Sequence, residues 1–267
     1  MSLNHSQRTD YIIGLILYHP EESLLKRIDQ MINLGFRIYV FDNSPFDSKF
    51  NCDMRENPNI FYLTAGENVG IAFSLSTLCA TAYAHGYQRL LFLDQDTGVS
   101  PQTLEFIEEF SKSLSASIQK QYAALVFSGS PGADKCIQEV RLAIGSGSLF
   151  NLEALRQIGW HNKNYFADCV DYELCIRARR RGLKIGLIKN TPDFDHVTEQ
   201  PDRTLIFLGY RLSLRRYSLT RIQDAMISYT KLVSSCFINM EFRNMLYLTR
   251  SASIYIVGQV LSRLLKF

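Results

Sequence analysis

Apolar residues in the first half of this chain fall into short runs separated by longer stretches with helical spacing, the alternation produced by βαβ units and a mainly parallel sheet. Tyr11 to Tyr18 reads as the first strand. Pro20-Glu21-Glu22 opens a helix, with proline near its first position and acids where the helix dipole favours them; it runs to about Leu34, and Gly35 stops it. Arg37 to Phe41 and Ile60 to Leu63 are the next strands, and Asn68-Val69-Gly70 precedes a helix that reaches about His85 and ends at Gly86. Arg89 to Leu93 is an apolar strand closing on Asp94-Gln95-Asp96. Pro101 to about Ser117 is the following helix and Tyr122 to Ser128 the following strand. The alternation then fades through the turn-rich 129–134 and the small-residue run Gly145-Ser146-Gly147-Ser148. Val170 to Arg181 is a basic helix closed by Gly182, and from about Arg203 to Phe267 the pattern is helical with no clear strand.

Composition bounds the answer. The 267 residues are 46% hydrophobic and 21% charged, enough for one large α/β domain with an appendage. A net charge of +3 is too mild to argue for nucleic acid, and the arginines do not interleave with aromatics. The six cysteines include no Cys-x-x-Cys pair and read as reduced core residues of a cytosolic protein. Met1 to Asp10 is polar, without the apolar segment of a signal peptide, so export is not expected.

Candidate chemistry gathers at strand ends. Side chains alternate faces along an extended strand, so Asp94 and Asp96 are expected to point the same way and share one divalent cation, Mg²⁺ or Mn²⁺, carrying a diphosphate. Chance also supplies such pairs; a second stands at Asp193-Phe194-Asp195, in a loop beside Pro192. Asp42 ends its strand at the same sheet edge, where it either accepts hydrogen bonds from a nucleotide or simply shapes the turn Asp-Asn-Ser-Pro. Asn68 is read as a helix N-cap, and Gly70 as a place for close backbone approach. Asp171 is the better placed of the acids opening the 170–181 helix to act as a general base, whereas Glu173, four residues before Arg177, suits a surface ion pair. His196 offers an imidazole ligand beside carboxylates. Arg215, Arg216 and Arg221 sit in a helical pattern and face either phosphates or solvent.

In order and spacing these pieces resemble the family-two glycosyltransferases. The run is Leu17-Tyr18-His19-Pro20, Phe41-Asp42-Asn43-Ser44, Asn68-Val69-Gly70-Ile71-Ala72, Leu93-Asp94-Gln95-Asp96, Gly145 to Phe150, Ile158-Gly159-Trp160, Phe166 to Arg177, Gly182 and His196. It spans about Tyr11 to Tyr217, and the Asp-Gln-Asp form with Asp-Tyr-Glu-Leu-Cys-Ile-Arg is most similar to the bacterial rhamnosyltransferase branch. The chain departs from that branch at Tyr217-Ser218 and Arg221-Ile222, where a paired tyrosine and Arg-Asn are common.

The resemblance implies an α/β GT-A (Rossmann-like) fold, mainly parallel and flanked by helices, with a helical C-terminal extension. It divides the chain into a polar segment 1–10, a catalytic domain 11–202 (nucleotide-binding half 11–100, acceptor half 101–202) and a helical region 203–267. It implies nucleotide-sugar contacts from Tyr18, Asp42, Asn68, Gly70, Asp94 and Gln95, a metal held by Asp94, Asp96 and His196, and Asp171 as catalytic base. Arg216, Arg221 and Trp160 are candidates for diphosphate or acceptor contacts. The implied activity is inverting, metal-dependent transfer of a sugar, with dTDP-rhamnose the favoured donor and a lipid-linked or oligosaccharide acceptor in surface-glycan (O-antigen) synthesis. Rival readings are a sugar nucleotidyltransferase and a catalytically silent nucleotide-sugar-binding subunit of a polysaccharide assembly complex. The first should show a Gly-rich, lysine-bearing loop after the first strand, which Leu17-Tyr18-His19-Pro20 is not.

Ile254, Val257, Leu261 and Leu264 repeat at helical spacing, with Arg250, Arg263 and Lys266 around them. This suits either packing on the domain or contact of 241–267 with the inner face of a membrane.

Overall fold

The computed structural model describes residues 11–45, 51–133, 136–196, 203–207 and 210–264. The order of elements begins β1 (Tyr11–Leu17), α1 (Glu22–Asn33), β2 (Ile38–Asp42), α2 (Asn51–Glu56), β3 (Ile60–Thr64), α3 (Ile71–Ala84), β4 (Arg89–Asp94). It continues with β5 (Thr97–Gly98), α4 (Pro101–Ser113), α5 (Ala116–Gln119), β6 (Tyr122–Phe127), β7 (Ile137–Val140), β8 (Ser148–Asn151), α6 (Leu152–Ile158), α7 (Val170–Arg180), β9 (Lys184–Ile188), β10 (Asp195–His196). Last come β11 (Arg203–Phe207), β12 (Tyr210–Leu214), α8 (Leu219–Ile238) and α9 (Phe242–Leu264). Two compact units result, Met1–Phe166 with Val170–Val197, and Ala167–Cys169 with Thr198–Phe267.

The first unit holds an eight-stranded sheet in the order β3-β2-β1-β4-β8-β6-β9-β7. β1 pairs in parallel with both β2 and β4, so the chain winds one way through β2 and β3 and then crosses to the other side of β1. That reversal leaves a crevice beyond the carboxyl ends of β1 and β4, where open α/β sheets take their ligands. β1 and β2 are buried throughout, as parallel strands covered on both faces must be. The odd-numbered residues Tyr11, Ile13, Leu15 and Leu17 share a core with Leu24 and Ile28 of α1 and Leu104 and Ile107 of α4. The opposite face is covered by α3, which packs on β1, β2 and β4. Each fully buried aliphatic side chain contributes about 1.5–3 kcal/mol, so this double-sided core fixes the strand ends rigidly.

The second half of the sheet is mixed. β8 runs antiparallel between β4 and β6, bringing Ser148 beside Phe92 at the carboxyl edge. Helix α4 starts on a reciprocal capping box between Ser100 and Thr103, and an extended Leu114 separates it from α5, so the helix expected to Ser117 is two pieces. Ser115 accepts the Ile118 N–H and restarts the chain as a new helix. Cys136 is exposed, unlike the buried Cys79, Cys175 and Cys236, so it is not a core residue.

In the second unit β11 and β12 form an antiparallel hairpin where a helical pattern was expected. The alternation Tyr210, Leu212, Leu214 against Arg211 and Ser213 has the period of two that a strand needs. The residues 215–218 that carry Arg215 and Arg216 are irregular, because the helix begins only after Ser218, whose Oγ accepts the Arg221 N–H.

Candidate active site

The crevice at the ends of β1 and β4 is closed by an amide clamp. Gln95 Oε1 accepts the Tyr18 N–H at 2.8 Å while its Nε2 donates to the Tyr18 carbonyl at 3.1 Å, and the Tyr18 ring stays about half exposed. β4 ends at Asp94, and Gln95-Asp96 form a turn into β5. The two carboxylates therefore do not alternate along one strand; the strand spacing that suggested a shared face ends at Asp94. Asp94 is half-buried and Asp96 exposed. Arg27 of α1 braces this turn from below, donating to the carbonyls of Gln95 and Thr97.

The backbone also brings His196 to this turn. β10 pairs with β5 so that His196 stands opposite Thr97, one residue from Asp96; the His196 side chain lies outside the described atoms. Among the described residues no three His, Cys, Asp or Glu side chains converge as a metal-holding group. Two hard carboxylates at a crevice mouth, one of them exposed, nevertheless fit Mg²⁺ or Mn²⁺, which keep open positions for water and substrate phosphates.

The small-residue run supplies the link to the second acid. Ser146 Oγ accepts the Asp94 N–H at 3.0 Å and lies 2.6 Å from Thr97 Oγ1. Its neighbour Gly145 donates its N–H to Asp171 Oδ2 at 2.8 Å, in the first turn of α7. Adjacent residues of one loop thus hold Asp94 and Asp171. A Cβ at Gly145 would come within 2.5 Å of Asp171 Oδ1, and one at Gly147 within 2.5 Å of the Phe194 ring, so both positions need glycine. Asp171 borders a small, open and almost wholly apolar cleft lined by Ala143, Ile144, Phe150, Leu174 and Cys175.

Asp42 is fully buried, with Oδ1 accepting the Ser44 N–H and Oδ2 accepting the Tyr62 hydroxyl, both at 2.8 Å. It shapes the turn, and a nucleotide donor would have to reach its remaining lone pairs. Asn43 Oδ1 accepts from Val69 N–H and Ser74 Oγ, tying the end of β2 to the 68–70 loop. Asn68 is not the N-cap it was expected to be: Oδ1 folds onto the Gly70 N–H, and the cap position belongs to Gly70 at φ +83°. No side chain can cap from glycine, so the Phe166 carbonyl does so instead, accepting the Ile71 N–H at 2.7 Å. The close approach at Gly70 is made by this carbonyl, 2.5 Å from where a Cβ would lie.

Other expected residues fall elsewhere. Glu173 is buried, not a surface residue, and pairs through both oxygens with Arg177, at 2.8 and 3.0 Å. The same guanidinium donates to the carbonyls of Ile158, Gly159 and Trp160, fastening the end of α6 to α7. The Trp160 ring packs against Tyr83, near the far end of α3 from Gly70, about 20 Å along the helix axis. Arg221, in the second unit, reaches Asp168 Oδ2 at 3.8 Å and lies 5.0 Å over the Tyr217 ring; Asp224 accepts the N–H groups of Ala167 and Asp168. Burial raises the Asp168 pKa, partly offset by Arg221. Arg27 escaped sequence reasoning, and so did the contacts of Gly145, Ser146 and Phe166, since each joins residues far apart in the chain; the runs Gly145 to Phe150 and Phe166 to Arg177 were visible only as motifs.

No family model matches the chain. A curated relative, the dTDP-rhamnosyl transferase RfbF of Shigella flexneri, is 20% identical over 239 residues, covering 81% of this chain and 79% of the relative. The crystal structure of S. aureus TarS superposes with a TM-score of 0.52 at 13% identity, over 69% of this chain and 36% of that one. GalNAc-T7, solved with UDP, GalNAc and Mn²⁺, gives 0.51 at 12% identity, over 67% and 42%. The chain thus spans about two fifths of the length of these two proteins. The likeness shows the fold: a mostly parallel eight-stranded sheet of the GT-A kind, with the helical hairpin α8–α9 towards the carboxyl terminus.

Proposed function

We propose that this chain transfers a sugar from a nucleotide diphosphate donor to an acceptor hydroxyl, with inversion, at the crevice between β1 and β4. The observation that carries the proposal is the loop in which Gly145 holds Asp171 and Ser146 holds Asp94. One loop then ties the Asp171 carboxylate to the backbone of Asp94, from which the diphosphate-handling carboxylate projects, as the fixed geometry of a single-displacement transfer requires. One carboxylate oxygen of Asp171 takes the proton of the attacking hydroxyl as its oxygen bonds to the anomeric carbon and the diphosphate leaves with the electrons of the glycosidic bond. The Gly145 N–H orients that carboxylate. Asp94 and Asp96, with His196, would hold Mg²⁺ or Mn²⁺, whose charge offsets that developing on the departing diphosphate. Tyr18 and Gln95 close the floor on which the nucleotide lies, and Asp42, Asn68 and Gly70 build the turns that shape its wall. Trp160, Arg216 and Arg221 have no part in this reading.

The relative RfbF supports dTDP-rhamnose as donor, and the Mn²⁺ and UDP bound to GalNAc-T7 support a metal and a nucleotide on this fold. The acceptor proposed is a lipid-linked or oligosaccharide glycan, met at the inner face of a bacterial membrane. The test is a thermal-shift screen of nucleotide sugars with and without Mn²⁺ or Mg²⁺, followed by a transfer assay with the best donor. A metal-dependent rise with dTDP-rhamnose supports the reading, because a ligand bound to the native state raises its melting point. No rise with any nucleotide sugar would sink it.

A further inference from the structure

Helix α9 is built inside out. Its buried positions include the polar residues Asn244, Gln259 (7% exposed) and Ser262 (0%), while Leu246 (66%), Val257 (54%) and Leu264 (72%) face outward. At 100° per residue Phe242, Leu246, Val257, Val260 and Leu264 fall within about 40° of one line, and Asn244, Gln259 and Ser262 lie on the opposite side. The orientation is fixed by hydrogen bonds. Gln259 Oε1 accepts the Tyr217 N–H at 3.1 Å, its Nε2 donates to the Arg215 carbonyl at 2.9 Å, and Arg263 donates to the Tyr217 carbonyl at 2.7 Å. Rolling the helix to bury its apolar stripe would break all three.

The stripe runs about 33 Å along the helix and continues past its start, where Phe237, Ile238 and Met240 are exposed in the turn from α8. A patch of this extent on a chain surface marks a partner. Charge says which. The 23 residues of α9 include three arginines and no acid, and Arg243 and Arg250 are exposed beside the stripe. Two such faces packed together would set like charges side by side, whereas an anionic bilayer surface complements both the stripe and the arginines. Among the described residues no helix is long and apolar enough to cross a membrane, so the contact is lateral.

We propose that the outward face of α9, with the α8–α9 turn, lies in the headgroup layer of a membrane rich in anionic phospholipid. This extends the membrane element of the function proposed above, but vesicle binding is read without donor or acceptor, so its failure leaves the transfer reaction untouched. The experiment is co-sedimentation of the full chain with phosphatidylcholine vesicles and with vesicles mixing phosphatidylcholine and phosphatidylglycerol in roughly equal parts. The chain should pellet with the mixed vesicles at low salt and stay in solution with the neutral ones. A double variant, Leu246→Asp with Val257→Asp, should bind at least about tenfold more weakly with an unchanged melting point, since both side chains are exposed. Arg250→Ala should weaken binding about fivefold. The proposal is overturned if the chain pellets with neither vesicle or if the double variant pellets as well as the parent. It is also overturned if sedimentation equilibrium shows that the double variant disperses a dimer while vesicle binding stays absent, which would assign the face to a second copy.

Discussion

Gly145 and Asp171 are joined by a 2.8 Å hydrogen bond from backbone to carboxylate, and the same carboxylate occupies the space that any side chain at 145 would need. Gly145→Ala must therefore displace Asp171 while leaving the fold intact. We expect a loss of turnover on the order of 10²-fold, the cost of misplacing a reacting group by about 1 Å, with little change in melting point. Steady-state transfer and thermal unfolding on the same preparation check this; wild-type turnover would remove the positioning role.

Asp171→Asn keeps the shape and removes the proton acceptor. Turnover should fall by about 10²–10⁴-fold while donor binding, measured by calorimetry, is retained. Asp96→Ala should show the reverse emphasis, with nucleotide binding losing its dependence on Mn²⁺.

Glu173→Gln breaks a buried pair and leaves the Arg177 guanidinium without its counter-charge. Removing one partner of such a pair is costly, and a loss of about 3 kcal/mol is expected in urea titration. An unchanged midpoint would mean that the three carbonyls facing Arg177 suffice alone.

His161 gives the fold an acid sensitivity. Both ring nitrogens are buried without a hydrogen-bond partner among the described residues, and burial, aided by the Arg177 charge, pulls its pKa down from 6.5 to about 3. Below about pH 6.5 the unfolded chain takes up a proton that the native state refuses, so stability falls as pH drops towards about 3, by up to about 1.4 kcal/mol per unit. His161→Leu removes both the orphaned nitrogens and the titration, and should flatten the difference in urea midpoint between about pH 7 and about pH 5. A slope unchanged by the substitution would point to other groups.

How much of this was legible depends on distance along the chain. β1, β2 and β4 could be read because strands buried on both faces are continuous apolar runs, and α1 and α3 because Gly35 and Gly86 punctuate them. β7 is only four residues long, and β11–β12 carries its period of two over too few residues to stand out. At the site, the residue types at Asp94, Asp96 and Asp171 were visible, but the strand spacing offered for the first pair does not hold, since a turn replaces the strand after Asp94. Asn68 looked like a cap because it stands just ahead of a helix; the actual cap comes from Phe166, nearly a hundred residues on. Contacts from a side chain or carbonyl to a remote backbone leave no periodic trace.

The Phe166 carbonyl at the start of α3 also settles an electrostatic question for this edge of the sheet. In many nucleotide-binding α/β folds the exposed N–H groups at a helix start receive the phosphates. Here that positive pole is already spent on a neutral oxygen, with Gly70 letting it in. A diphosphate arriving at this crevice would have to find its positive charge elsewhere, and in the reaction proposed above the cation that Asp94 and Asp96 would hold supplies it.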